Sequence, residues 1–242
     1  MPMKKSGILG LGILLAVIGL AAFSQAASGY DKRFEIAKAR NEGWYTSLSI
    51  RPQFVQGDFR SRLVLWHFEK AFFIPRLTKG SDLDVGLAIG RKSAYGSWEV
   101  RYSLALPQAV VADRTQGIQI HNLEISGRSY FWPGEILQPY GQIGINVPLI
   151  VVPDGAAFQG ANLNAMYVGV GLNAGAGLTW DFAPDTFLDI GLVYRFLAFF
   201  YAYGEGKGRD INHLRTVQDG DQFGRLLRSS SLALTASLNF MF

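Results

Sequence analysis

The chain has 242 residues, 23 Lys and Arg against 19 Asp and Glu, a formal charge of +4, 28 glycines and no cysteine. Without cysteine there is no disulfide, no thiolate metal site, no thiol nucleophile and no acylated N-terminal cysteine. The basic residues are scattered rather than gathered into a stripe, which argues against nucleic-acid binding.

Lys4 and Lys5 precede an uncharged apolar run from Ile8 to Phe23, followed by Ser24-Gln25-Ala26-Ala27. This charged, apolar, small-residue order is that of a secretory signal peptide. The apolar core of 16 residues is short for a spanning helix, which needs roughly 20. Cleavage after Ala26 or Ala27 is expected, with residues 1–26 as signal peptide and a formal charge of +2 remaining. Residues 27–42, which include Tyr30–Glu42, read as a short periplasmic segment with no assignable role.

Eight segments then alternate with period 2, the pattern of half-buried strands. Trp44–Arg51 sets Trp44, Leu48 and Ile50 against Tyr45, Ser47, Ser49 and Arg51. Asp82–Arg91 sets Leu83, Val85, Leu87 and Ile89 outward and Asp84, Gly86, Ala88 and Gly90 inward. In Ser97–Leu106, Trp98, Val100, Tyr102 and Leu104 alternate with Glu99, Arg101, Ser103 and Ala105. Across Gly117–Tyr130 the apolar parity changes between Ile120 and Leu123, so a bulge is expected near His121-Asn122. Pro139–Leu149 carries Ile143, Ile145 and Val147 outward, and Met166–Trp180 sets Val168, Val170, Leu172 and Leu178 against Gly169, Gly171, Asn173, Gly175 and Gly177. Thr186–Tyr201 opposes Leu188, Ile190, Leu192, Tyr194 and Phe196 to Asp189, Gly191 and Arg195. Leu232–Phe242 ends the chain, with Leu232, Leu234, Leu238, Phe240 and Phe242 on one face and Thr235, Ser237 and Asn239 on the other.

Strands with one apolar and one polar face, few charges, many glycines and no long apolar helix after the leader suit an antiparallel transmembrane β-barrel over residues 43–242. An even strand number closes such a barrel with both termini on one side. Residues 52–81, 107–116, 150–165 and 202–227 are the expected outer loops, and 92–96, 131–138 and 181–185 the short periplasmic turns. An additional hairpin over Phe59–Ile74 would make ten strands instead of eight. Amphipathic rings favour the bilayer interfaces, which predicts a periplasmic aromatic girdle of Trp44, Trp98, Trp132, Tyr140, Trp180, Phe240 and Phe242. A second aromatic cluster (Phe196, Phe199, Phe200, Tyr201, Tyr203) marks the outer end.

The segments Gln138-Pro139-Tyr140-Gly141-Gln142-Ile143-Gly144, Asn173-Ala174-Gly175-Ala176-Gly177-Leu178 and Leu188 to Phe196, with the terminal Phe, resemble the eight-stranded outer-membrane barrels grouped with OmpA, OmpX and OmpW. The resemblance covers roughly residues 43–242. It implies residence in the outer membrane of a Gram-negative bacterium, contact with outer-membrane lipid and lipopolysaccharide, and reading of the final strand by the barrel-insertion machinery through Phe242. It identifies the barrel class rather than an activity.

The inward positions Asp84, Glu99, Arg101, Glu124, Asp189 and Arg195 form the expected lumen charge network. Ionisable groups inside a membrane protein suggest function, but the lumen of a small barrel is normally filled by side chains. Unpaired charges there would be costly. Arg101 and Arg195 are therefore expected to bridge Asp84, Glu99 and Asp189 as a structural plug. His67, His121 and His213 show no metal-binding or catalytic spacing, and neither cofactor nor metal is expected. Strands five to seven are similar to the lipid A deacylase family, but Tyr194-Arg195 is followed by Phe196-Leu197-Ala198. The His-x-Ser motif that follows Tyr-Arg in that family is absent, so its base and nucleophile are not carried over. Two non-catalytic roles remain: a structural or surface-interaction barrel, or an OmpW-like narrow conduit for small apolar molecules. The apolar first-loop stretch Leu63–Ile74 separates them. It either packs over the mouth or forms a binding surface of Trp66, Phe68, Phe72 and Phe73. The last outer loop, with Lys207, Arg209, Arg215, Arg225 and Arg228, reads as solvated and basic enough to meet lipid phosphates.

Overall fold

The computed structural model describes residues 42–60, 63–67, 70–78, 81–158, 161–183, 185–204, 207–211, 214–216 and 224–242. The expected signal peptide, residues 27–41, Phe68 and His213 lie outside the described residues.

Eight long strands form the wall: β1 (Gly43–Gly57), β2 (Ser81–Lys92), β3 (Gly96–Ala105), β4 (Gln119–Tyr130), β5 (Leu137–Phe158), β6 (Ala161–Ala183), β7 (Thr186–Gly204) and β8 (Leu227–Met241). Each pairs antiparallel with its successor. β8 returns to β1 from Tyr45↔Met241 to Gly57↔Ser229, which closes the ring. The wall therefore has eight strands and not ten. The extra hairpin does form, Leu63–His67 against Lys70–Ile74. It pairs with the outer end of β5 through Ala156↔Phe72 rather than entering the wall.

The pleat sends alternate side chains to opposite faces. On β8, Leu232, Leu234 and Phe240 are exposed, as is Phe242 just after it, while Ser231, Ala233, Thr235, Ser237 and Asn239 are buried. Leu83, Val85, Leu87 and Ile89 of β2, and Ile143, Ile145 and Val147 of β5, continue the exposed belt. A belt this apolar is stable only against lipid, where a closed barrel leaves no backbone group unpaired. The described parts of the short connections (93–95, 131–136 and 185) share a rim with Phe242, and those of the longer ones (58–60, 63–67, 70–78, 106–118, 207–211, 214–216 and 224–226) lie at the other end. The short-turn rim is the periplasmic one.

Two local expectations are corrected. Residues 150–165 are not a loop: β5 and β6 run on as a hairpin beyond the wall, with a bulge between Val152 and Ala156 where Asp154 takes a φ of +48°. Nor is there a bulge at His121-Asn122, since β4 keeps unbroken register with β3 and β5 through those residues. Ile118 is buried and Ile120 half-buried on the same inward parity as Glu124. The interior itself changes from charged to apolar towards the outer end, so no slip is needed.

That outer interior is an apolar cap. Phe59, Leu65, Phe72, Ile74, Leu77, Ile118, Ile150 and Phe199 are all buried in one cluster. Phe59 meets Phe199 edge to face at 5.0 Å. Phe199 thus faces inward and does not belong to the outer aromatic cluster, although Phe196 and Phe200 remain exposed. Asp58 ties the short 3-10 turn Asp58–Arg60 down. It accepts from Arg225 at 2.7 and 2.9 Å and from the backbone N–H of Arg228 at 2.8 Å. Partial burial pushes its carboxyl up, but these hydrogen bonds outweigh burial and hold it below its ordinary value.

Candidate functional site

The lumen is layered, and the layers follow from which residues fall on inward parity. Nearest the periplasm, Tyr45, Tyr130, Tyr140 and Phe187 are buried around the Lys92 side chain. The Lys92 Nζ lies 4.3 Å from the Phe187 ring centroid and 2.5 Å from Asp181. Tyr140 is 1 % exposed, so it is removed from the predicted girdle. With Ile143, Ile145 and Val147 outward, the pleat requires Tyr140 to point in. Its ring lies beneath the Arg128 guanidinium, 5.2 Å from centroid to Cζ. Room for these rings comes from inward glycines. A Cβ on Gly90 would come within 2.5 Å of the Tyr45 ring, and one on Gly177 within 2.6 Å of the Tyr140 hydroxyl. Trp44, Trp98, Trp132, Trp180, Phe240 and Phe242 keep their outward places, with Trp44 edge-on to Trp98 at 5.5 Å.

Above the tyrosines lies the charge network, and all six predicted members are buried in it. Glu99 accepts from Arg101 at 2.6 Å and Arg128 at 3.1 Å, and also from the Tyr45 hydroxyl at 3.0 Å. Arg128 reaches across to Asp189 at 2.6 Å, which Thr179 and Asn239 also satisfy. One level higher, Glu124 accepts from Arg51 at 2.7 Å and Arg195 at 3.1 Å, and Arg195 also donates to Asp84 at 3.2 Å. Four guanidiniums thus face four carboxylates, so the buried charge balances.

The pairing differs from the one expected. Arg195 meets Asp84, and Arg101 meets Glu99, but Asp189 is bridged by Arg128 rather than by Arg101 or Arg195. Arg51 and Arg128 are full members that the sequence reading left out. Their parity was the available signal: Arg128 lies four residues from Glu124, and Arg51 alternates with Ser47 and Ser49.

Between the charge network and the apolar cap is a chamber of about 40 Å³, enough for about three water molecules. Asp84, Asn122, Arg195 and Ser231 line its floor, and Phe59, Leu77, Ile118 and Phe199 its roof. Asp84 Oδ1, Asn122 Oδ1, Arg195 Nε and Ser231 Oγ carry hydrogen-bonding capacity that no group among the described residues fills. A hydrated chamber matches that chemistry.

The first-loop surface is only partly as expected. Phe72 is fully buried in the cap rather than presented, and Phe73 is half-buried against it. The Tyr167 hydroxyl donates to the Phe73 carbonyl at 2.9 Å, pinning the hairpin down. Trp66 lies on the paired strand Leu63–His67.

No family model and no curated protein matches the chain. Among solved structures, Neisserial surface protein A superposes with a TM-score of 0.50 at 12% identity, over 83% of this chain and 97% of that one. OprG from Pseudomonas aeruginosa gives 0.49 at 11% identity, over 84% and 97%. AlkL gives 0.46 at 14% identity, over 84% and 92%. Ring closure and the lipid-facing belt make the chain a transmembrane β-barrel, and it shares its fold with the solved Neisserial surface protein A.

Proposed function

We propose that this barrel is a closed, non-enzymatic outer-membrane protein with a structural and surface-interaction role, its rigid cap presented to the outside. The observation that carries the reading is closure at two levels. A balanced network of four arginines and four carboxylates fills the lumen, and an apolar core covers it. Mutual pairing offsets the cost of burying these charges, and a hydrophobic constriction excludes water and ions. Such a molecule offers a scaffolded surface rather than a path. Planar-bilayer recordings of the wild type and of a variant lacking residues 59–78 test this. Neither is expected to conduct, and sustained unitary currents from the wild type would overturn the closed reading. Incubation with lipid A, followed by mass spectrometry of the lipid, is expected to show no loss of acyl chains.

One observation favours the conduit as a second reading. The β5–β6 ladder lacks partner pairs between Asn146↔Gly171 and Leu149↔Val168, where Pro148 has no N–H to give. β6–β7 shifts register at Val168/Gly169. Pro148, Leu197 and Phe199 line the chamber beside this weak stretch of wall. Uptake of a small apolar dye into proteoliposomes, above that of protein-free vesicles, would favour the conduit over the closed barrel.

A further inference from the structure

One part of the lipid-facing wall departs from the apolar pattern. On β4 the outward series runs Ile125, Leu123, His121, Gln119, so two apolar positions are followed by two polar ones. The neighbouring strands stay apolar at the same height. His121 sits opposite Leu104 on β3 and Leu149 on β5, and Gln119 sits opposite Val151. Tyr102, also outward and half-exposed, completes the polar group. Its hydroxyl lies 2.6 Å from His121 Nδ1, and His121 Nε2 lies 3.3 Å from Gln119 Oε1.

The hydrogen-bond roles follow from the end members. The Gln119 oxygen can only accept, so Nε2 carries the ring proton, and Nδ1 accepts from the Tyr102 hydroxyl. The amide N–H groups of Gln119 and the lone pairs of the Tyr102 oxygen are not used in these two contacts, and both residues are exposed on the outward face. Leu104 is six residues above Trp98, roughly 15 Å along the bilayer normal for a strand tilted by about 40°. The apolar band of such barrels is about 25 Å tall. His121 and Gln119 therefore lie in the upper, outer-leaflet half of the belt, where a bare polar group is disfavoured unless a partner meets it.

We propose that Tyr102, His121 and Gln119 form a binding notch for the linkage region of lipid A, the acylated glycolipid anchor of lipopolysaccharide. Its amide and ester carbonyls accept from Gln119, and its hydroxyls donate to the Tyr102 oxygen. Leu104 and Leu106 on one side, and Leu149 and Val151 on the other, flank the notch with apolar surface for the acyl chains. The inference needs only the barrel's place in the bilayer and is independent of whether the lumen is closed.

The test uses the full-length protein folded in detergent, incubated with lipid A or with phosphatidylglycerol and examined by native mass spectrometry. Wild type is expected to retain lipid A, and His121→Leu to retain at least fivefold less, with phosphatidylglycerol retention low in both. Leu172→Ala, elsewhere on the belt, is expected to match wild type. Equal lipid A retention by wild type and His121→Leu overturns the proposal, as does phosphatidylglycerol retained as well as lipid A. Should His121→Leu fold poorly, Tyr102→Phe and the imidazole 15N resonance of wild-type His121 carry the same decision. A resonance unmoved by lipid A also overturns it.

Discussion

Glu124→Gln is the sharpest test of the lumen network, because it removes one charge and almost no volume. Glu124 is fully buried and serves two arginines, Arg51 at 2.7 Å and Arg195 at 3.1 Å. Arg195 keeps Asp84 at 3.2 Å after the change, whereas Arg51 loses the one carboxylate it is seen to pair with. The substitution therefore strands about one buried guanidinium, for which the loss of stability is about 3–5 kcal/mol. Adding Arg51→Gln restores charge balance, so the double variant should recover about 2–3 kcal/mol of that loss. Reversible urea unfolding in lipid vesicles, followed by tryptophan fluorescence and by heat-modifiable migration in gels, measures both quantities. A loss under about 1 kcal/mol, within the range of an exposed pair, would refute the network as a structural plug. So would a double variant no more stable than Glu124→Gln.

Arg195→Ala, which leaves Asp84 and Glu124 each without one donor, should abolish heat resistance in detergent gels; retained resistance would count against the network. Gly90→Ala places a methyl within 2.5 Å of the Tyr45 ring and of the Trp98 carbonyl, and overpacking of this kind costs about 1–3 kcal/mol, read from the same urea curves. The Asp58 clamp should persist to unusually low pH. Its carboxyl is held below its ordinary value, so its stabilising effect is complete above about pH 4 and is lost only as pH falls through the depressed value. Hydrogen exchange at residues 58–60 and 227–229 should stay slow from pH 7 down to about 4, and opening already at pH 5–6 would contradict this. In a Trp66→Phe background, the remaining tryptophans should be quenched by lipids brominated near the headgroup more than by lipids brominated at the chain ends. The reverse order would remove them from the rim.

The wall was legible in the chain because its cause is local. The pleat assigns alternate residues to opposite faces, and only one arrangement of Leu232, Leu234, Phe240 and Phe242 keeps Ser237 and Asn239 out of lipid. The same parity identifies every inward charge, including Arg51 and Arg128, and it also places Tyr140 inside the lumen, where the girdle reading had overlooked it. The parity change at Ile118 and Ile120 misled for an instructive reason. It assumes that inward means polar at every height, which holds inside the bilayer but not under the cap. Residues 150–165 misled likewise, since a strand hairpin beyond the membrane answers to its packing partners and not to the span of a bilayer.

What the sequence by itself determined was the membrane-facing periodicity, the antiparallel order of the strands and the set of residues that must share the lumen. Which guanidinium meets which carboxylate was decided only by the closed barrel. Arg128 and Asp189 are 61 residues apart and Arg195 and Asp84 are 111 apart, and they meet across the lumen rather than along a strand pair. Curvature and strand stagger set those distances, and no alternation pattern records them. The Tyr102–His121–Gln119 notch belongs to the tertiary level for the same reason, since the bond from Tyr102 to His121 crosses between strands whose register only the closed sheet fixes.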